Sequence, residues 1–357
     1  MQALHQPADY LCVHFRKPVA LYAHSCLTIP ERRKQWQVIP ASEHRCRPLR
    51  PSRRSHSGCR RVKVQAASGE PQSISPPYNV VITGSTKGVG KALATEFVKA
   101  GDNVIISSRS DDRVRSTVRE LSQLPGSKGQ VKGCACNMAK AGDVAALTNF
   151  ASNELGSIDI WINNAGSNAY QHTSLLDSSE ADLVSIVETN MLGVMLGCRE
   201  AIQTMRAQKN GGIIFNMDGA GASGTATPLF AAYGATKRGL AQLGKSLRAE
   251  LRMQGISNVN IFNLSPGMVT TELLMSGADT ASGKFFINCL AERPETVADN
   301  LVPRIRKAPQ EARSLAGKLG LGSYIRFLTL PRAYGQIIMR LLTKQRKNKF
   351  VQEETSF

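Results

Sequence analysis

Asn79-Val80-Val81-Ile82-Thr83-Gly84-Ser85-Thr86-Lys87-Gly88-Val89-Gly90 is a short apolar strand that runs through three glycines into an amphipathic helix over 89–100. Glycines let a backbone turn tightly and approach a pyrophosphate, and a helix N-terminus offers N–H donors and a dipole that favours anions. The spacing Gly-x3-Gly-x-Gly differs from the Gly-x-Gly-x2-Gly dinucleotide fingerprint. It nevertheless stands in the strand–turn–helix context that such a loop requires. Working outward, the alternation repeats. Strands are predicted at 103–107, 130–135, 158–162, 212–216 and 258–264, with helices at 111–123, 141–155, about 179–207 and about 229–254. Strands spaced by helices of this length predict an α/β chain, a doubly wound parallel sheet in a single domain. Ligands of such sheets bind beyond the carboxyl ends of the strands, so the loop after each strand carries the chemistry.

The loop after the second strand chooses between two cofactors. A free ribose 2′-hydroxyl calls for an acid there, whereas this chain has Ser107-Ser108-Arg109-Ser110, with Lys87 in the glycine loop. Two cations and two hydroxyls suit a 2′-phosphate, which Arg grips in a bidentate way. Asp111 and Asp112 read as helix-start residues. The expected cofactor is therefore NADP(H).

In the helix expected over about 229–254, Tyr233 and Lys237 stand four residues apart and so share one face. Tyrosine is a poor acid, with a pKa of about 10, and a nearby ammonium stabilises its phenolate. Such a pair is suited to moving a proton.

Composition narrows the rest. The formal charge of +18 suggests a nucleic-acid binder until it is divided along the chain. Residues 1–69 hold thirteen Lys/Arg against three Asp/Glu, and residues 301–357 hold twelve against three. The centre holds twenty against twenty-one, so no nucleic-acid role is expected. Residues 1–69, rich in Arg, Ser, His and Pro, read as a disordered basic leader of organellar-transit type, with 64–68 as the processing region. Composition does not separate plastid from mitochondrion. No apolar run approaches the eighteen residues of a membrane span. Of eight cysteines, Cys134 and Cys136 alternate on a predicted strand and are expected in the core. His172 is the one histidine beyond residue 70, which argues against zinc hydrolysis and Ser-His-Asp chemistry. No metal site is expected.

Thr83-Gly-x3-Gly-x-Gly90, Asn163-Asn164-Ala165-Gly166, Asn190, Tyr233-x3-Lys237 and Pro266-Gly267 resemble, in order and spacing, the short-chain dehydrogenases/reductases. The resemblance covers about 78–275 and implies a Rossmann sheet, a nicotinamide cofactor and hydride transfer to or from a carbonyl. It implies that Tyr233 donates the proton, that Lys237 holds the ribose and lowers the tyrosine pKa, and that Asn190 supports a relay water. Gly84, Ser85, Thr86, Lys87, Gly88, Val89, Gly90, Arg109, Asn164, Ala165, Gly166, Lys237, Pro266, Gly267 and Thr271 are the expected cofactor-binding residues. The wording of 158–170, 215–221, 264–271 and 284–288 is similar to the plastid chlorophyll(ide) b reductases, in particular the shorter type without membrane spans. That likeness implies reduction of the 7-formyl group of chlorophyll b, a stromal-side peripheral thylakoid location, and association with a membrane-spanning paralogue and the light-harvesting complex. Another plastid reductase, such as one acting on ketoacyl thioesters, and a non-catalytic scaffold are the alternatives.

Two departures stand out. The family's serine, about thirteen residues before the tyrosine, is missing from Asn216-Met217-Asp218-Gly219-Ala220, leaving Asp218 or Ser223 to replace it. Asn137-Met138 replaces the usual acid after the third strand. Leu273, Leu274, Met275, Phe285 and Phe286 are expected to form an apolar lid over the substrate. Residues 70–300 are expected to be the cofactor-binding domain and 301–357 a basic extension, in which the family's last strand is not recognisable. Its segment 331–347 puts Tyr334, Ile337, Ile338, Leu341 and Leu342 on one helical face, with Arg340, Lys344, Arg346 and Lys347 near the end. That helix either lies on a membrane or partner or docks on the core.

Overall fold

The computed structural model describes residues 74–278, 280–314 and 322–353. The basic leader, its four cysteines and its processing region lie outside the described residues. The strands are β1 (Asn79–Thr83), β2 (Asn103–Ser108), β3 (Val131–Ala135), β4 (Ile160–Asn163), β5 (Gly212–Met217), β6 (Val259–Ser265) and β7 (Tyr324–Arg326). They form one parallel sheet in the order β3-β2-β1-β4-β5-β6-β7. The order reverses between β1 and β4, and the crevice there is the natural ligand site of a doubly wound sheet. The Rossmann-type architecture expected from the sequence is the one observed.

Side chains alternate across the sheet, as a period of two dictates. Val80 and Ile82 of β1 face α1 (Gly88–Lys99), α2 (Asp111–Ser122) and α9 (Pro294–Arg313), where Phe97 and Leu301 are fully buried. Val81 and Trp161 face the opposite layer of α3 (Ala141–Leu155), α5 (Gly193–Ala207) and α6 (Ala231–Met253). Each fully buried Leu, Ile or Phe contributes about 1.5–3 kcal/mol, and both faces are covered.

The single long helix expected over 179–207 is α4 (Glu180–Val187), one π-helical turn (Glu188–Leu192) and α5 in continuous succession. By length and composition this stretch is apolar enough to cross a membrane. It instead buries Val194, Cys198, Ala201 and Met205 against the sheet. Of the two thiols expected in the core, Cys136 is buried and Cys134 is only half-buried.

The C-terminal part departs from expectation. The boundary drawn at 300 cuts through α9, whose Val297, Leu301, Val302 and Ile305 belong to the core. The last strand exists as β7, which pairs Tyr324, Ile325 and Arg326 with Asn263, Leu264 and Ser265 of β6. Three residues with one buried side chain, Ile325, are too short to display alternation in a sequence. Two short lid helices, α7 (Glu272–Met275) and α8 (Ala281–Leu290), precede α9, and α10 (Leu330–Thr343) follows β7.

Arg306 of α9 pins this late segment to the start of the sheet. Its guanidinium donates to Asp102, whose side chain is fully buried and also accepts from the Tyr78 N–H. Burial holds the Asp102 carboxyl above its ordinary range, against the pull of that hydrogen bond and of Arg306. Removing one partner strands a buried charge. Arg306→Ala is therefore expected to cost about 3 kcal/mol of stability, read from urea unfolding.

Candidate active site

The glycine loop joins β1 to α1 at the crevice. Gly84 and Gly88 have positive φ, at 65° and 55°. A Cβ on Gly90 would lie 2.4 Å from Asn164 Nδ2 and 2.5 Å from the Gly84 carbonyl oxygen, so no side chain fits there. Asn164 closes the loop from β4 by donating through Nδ2 to the carbonyls of Thr83 and Gly84. The Thr83 hydroxyl accepts from the N–H groups of Asn164 and Ala165.

These residues border a cavity of about 1040 Å³. Gly84, Thr86, Lys87, Gly88, Val89, Gly90, Arg109, Asn164, Ala165, Gly166, Tyr233, Lys237, Pro266, Gly267 and Thr271 all line it, as expected. Two expected residues do not. Ser85 is fully buried behind the loop, donating to the Ile82 carbonyl and accepting from the Ser107 N–H. Asn190 is also fully buried, in the π-helical turn. Its Oδ1 accepts from Ser167 N–H, and its Nδ2 donates to the Ser167 carbonyl and to the Thr236 hydroxyl. The Asn190 carboxamide thus braces the β4 loop against α6.

At the end of β2 the wall carries Ser108, Arg109, Ser110 and Arg113, and no carboxylate. Ser107 is buried beneath it. Ser110 caps α2 by accepting from the Arg113 N–H, and Asp111 and Asp112 occupy the first helical turn. Arg113, one turn beyond Arg109, is a second cation that the sequence reading missed; its spacing of four was the available signal. Lys87 is drawn elsewhere: its ammonium pairs with Glu272 at 2.5 Å and sits 4.8 Å from the Tyr170 ring centroid. The donor set of Arg109, Arg113 and Ser108 fits a 2′-phosphorylated dinucleotide.

Tyr233 and Lys237 face the cavity from α6. Lys237 is buried, donates to the Met217 carbonyl at 3.1 Å, and lies 5.5 Å from the Tyr233 ring centroid. Burial pushes its ammonium down to about 8, with the Asp218 charge working the other way. Tyr233 differs from expectation. Burial, reinforced by the Asp218 charge, raises its hydroxyl above the ordinary value, so the net shift opposes the lowering expected from Lys237. At neutral pH Tyr233 is a hydroxyl that can give a proton.

Of the two candidates for the missing serine, Ser223 is exposed and bonded to Thr225, away from the cavity. Asp218 borders the cavity, and so does Gly219, where a Cβ would meet the Tyr233 hydroxyl oxygen at 2.2 Å. The lid is also redistributed. Leu273 and Leu274 line the cavity with Tyr170, Phe230, Met268 and Leu328. Phe285 packs edge-on against its α8 neighbour Phe286 and turns toward α10, where its ring lies 5.8 Å from the Arg340 guanidinium.

A nucleotide-cradling loop, a phosphate-binding β2 end and a Tyr–Lys pair beside an apolar recess describe a dinucleotide-dependent carbonyl oxidoreductase. Residues 78–281 match the short chain dehydrogenase family, and the chain belongs to it. A relative in Arabidopsis thaliana, "Chlorophyll(ide) b reductase NOL, chloroplastic", is 53% identical over 287 residues, 80% of each chain. The protein of that name in Oryza sativa subsp. japonica is 54% identical over 279 residues, 78% of this chain and 79% of the relative. Among solved structures, a short-chain type dehydrogenase/reductase from Mycobacterium marinum superposes with a TM-score of 0.60 at 24% identity, covering 71% of this chain and 94% of that one.

Proposed function

We propose that this protein reduces the 7-formyl group of chlorophyll(ide) b to the 7-hydroxymethyl group with NADPH, the first step of chlorophyll b breakdown. The observation that carries the reading is 53–54% identity, across about four-fifths of each chain, to relatives named for that reaction. When bound, NADPH would supply the hydride that the carbonyl carbon takes up. Arg109, Arg113 and Ser108 would hold its 2′-phosphate, and the glycine loop would cradle its pyrophosphate. Tyr233 gives its proton to the carbonyl oxygen, and Lys237 stabilises the phenolate left behind. Leu273, Leu274, Phe230 and Met268 offer an apolar wall to a flat macrocycle and exclude water. Chlorophyll b incubated with the protein and NADPH should lose its formyl absorption as NADPH is consumed. Turnover of a ketoacyl thioester alone would overturn the reading.

The same reading places the protein in the chloroplast, peripheral on the stromal side of the thylakoid, beside a membrane-spanning paralogue and the light-harvesting complex. Its support is α10, which exposes Leu330, Tyr334, Ile338, Leu341 and Leu342. Two of the basic residues expected at its end are engaged internally, Arg340 with Glu353 and Arg346 with Glu292. Lys344 and Lys347 remain exposed beside the apolar row. Such a face suits an anionic interface. Leu341→Glu with Leu342→Glu should lower co-sedimentation with phosphatidylglycerol vesicles about tenfold; unchanged binding would remove the membrane assignment.

A further inference from the structure

Asp218 is buried, 7% exposed, in the wall of the site, and the chemistry above leaves it without a role. The residues on either side of it are touched by the two functional side chains of α6. Lys237 donates to the carbonyl of Met217, and Gly219 abuts the Tyr233 hydroxyl. From the far side β7 brings Tyr324, whose hydroxyl donates to Asp218 Oδ2, while the Ser265 hydroxyl of β6 is a further hydrogen-bond partner of the carboxyl. Asp218 Oδ1 has no partner among the described residues. The groups facing the carboxyl are thus Tyr233 and Lys237 from α6, Ser265 from β6, and Tyr324 and Arg326 from β7. Arg326 lies 3.9 Å from the Tyr324 ring centroid and holds that ring in place.

We propose that Asp218, held by Tyr324 and Ser265, is a positioning residue whose charge sets how readily Tyr233 releases its proton; this rests on the reductase reading above. A negative charge beside Tyr233 disfavours the phenolate, so ionised Asp218 keeps the proton on Tyr233. When Asp218 takes up a proton that opposition disappears, and Lys237 alone acts on the nascent phenolate. The same charge favours protonated Lys237, so losing it lets Lys237 deprotonate at lower pH. Burial raises the carboxyl to about 6, against Ser265, Lys237 and Arg326, which puts the switch in an accessible range. Reduction should therefore quicken as pH falls through about 6.

The test uses the full chain and two readouts. The 13C carboxyl shift of Asp218, followed without substrate, should titrate near 6 and move upward in Tyr324→Phe, which removes a donor to the ionised form. The pH profile of kcat is then measured with chlorophyll b and, in parallel, with a small aromatic aldehyde. The parent should gain rate toward acid pH. Asp218→Asn, close to isosteric, should be flat between about pH 5 and 6.5, about threefold or more faster than the parent at pH 7 relative to its own pH 5 rate, with its alkaline limb moved below the parent's. A parent profile without the acid rise, an Asp218→Asn profile that keeps it, or an Asp218 shift indifferent to Tyr324→Phe would overturn the proposal. Turnover of the aldehyde without the pigment would sink the pigment reading and leave this comparison intact.

Discussion

Tyr233→Phe is expected to lower kcat for formyl reduction by about 10³-fold, with the Kd for NADPH changed by less than about twofold. The hydroxyl is the group that can protonate the carbonyl oxygen in the cavity, and the ring stays in place without it. Stopped-flow turnover with NADPH fluorescence titration separates the two quantities. The alkaline limb follows from Lys237. Its ammonium is charged below about 8, so kcat should fall as pH rises through that value. Equal losses in turnover and cofactor affinity would assign Tyr233 to binding instead.

Gly219→Ser, which puts a hydroxyl into the stretch 216–220 that lacks the serine, is expected to lower kcat by about 10²-fold instead of raising it. A Cβ at this position meets the Tyr233 hydroxyl oxygen at 2.2 Å, so the tyrosine must shift by about 1 Å, a displacement that costs about 10²-fold. Overpacking should also remove about 1–3 kcal/mol of stability. The pair of measurements is kcat and the urea midpoint. A gain in rate would mean that Tyr233 has room to move and that the glycine is not required by its position. The Tyr233 hydroxyl thus rests against the backbone of Gly219, within the stretch 216–220 that lacks a serine.

The alternating strands and helices were legible because both faces of the sheet are covered and its central strands β1, β4 and β5 are compact apolar runs. The glycine loop was legible because a close backbone approach leaves no choice of residue at Gly90. That Tyr233 and Lys237 share one helical face followed from their spacing, and the place of Arg109 in the cavity wall from its loop position. That Ser85 and Asn190 lie behind the cavity wall was not legible, because a motif gives order along the chain and not depth. Both side chains spend their hydrogen bonds holding loops together. Tyr324 gave no signal at all, since β7 is three residues long and its partner Asp218 lies 106 residues earlier. Phe285 and Phe286 read as lid residues from composition alone, yet the fold of α8 turns Phe285 toward α10. The direction of the Tyr233 shift was missed because burial outweighs the neighbouring ammonium, and only the folded chain sets that balance.

The most direct test of the central claim is isotopic. The protein is supplied with chlorophyll b and NADPH carrying deuterium at nicotinamide C4, and the pigment product is examined by mass spectrometry and NMR. The account predicts one deuterium on the 7-hydroxymethyl carbon of the product, in step with NADPH oxidation, and its loss in Tyr233→Phe. NADPH oxidation with no deuterium in the pigment, or an unchanged formyl group, would contradict it.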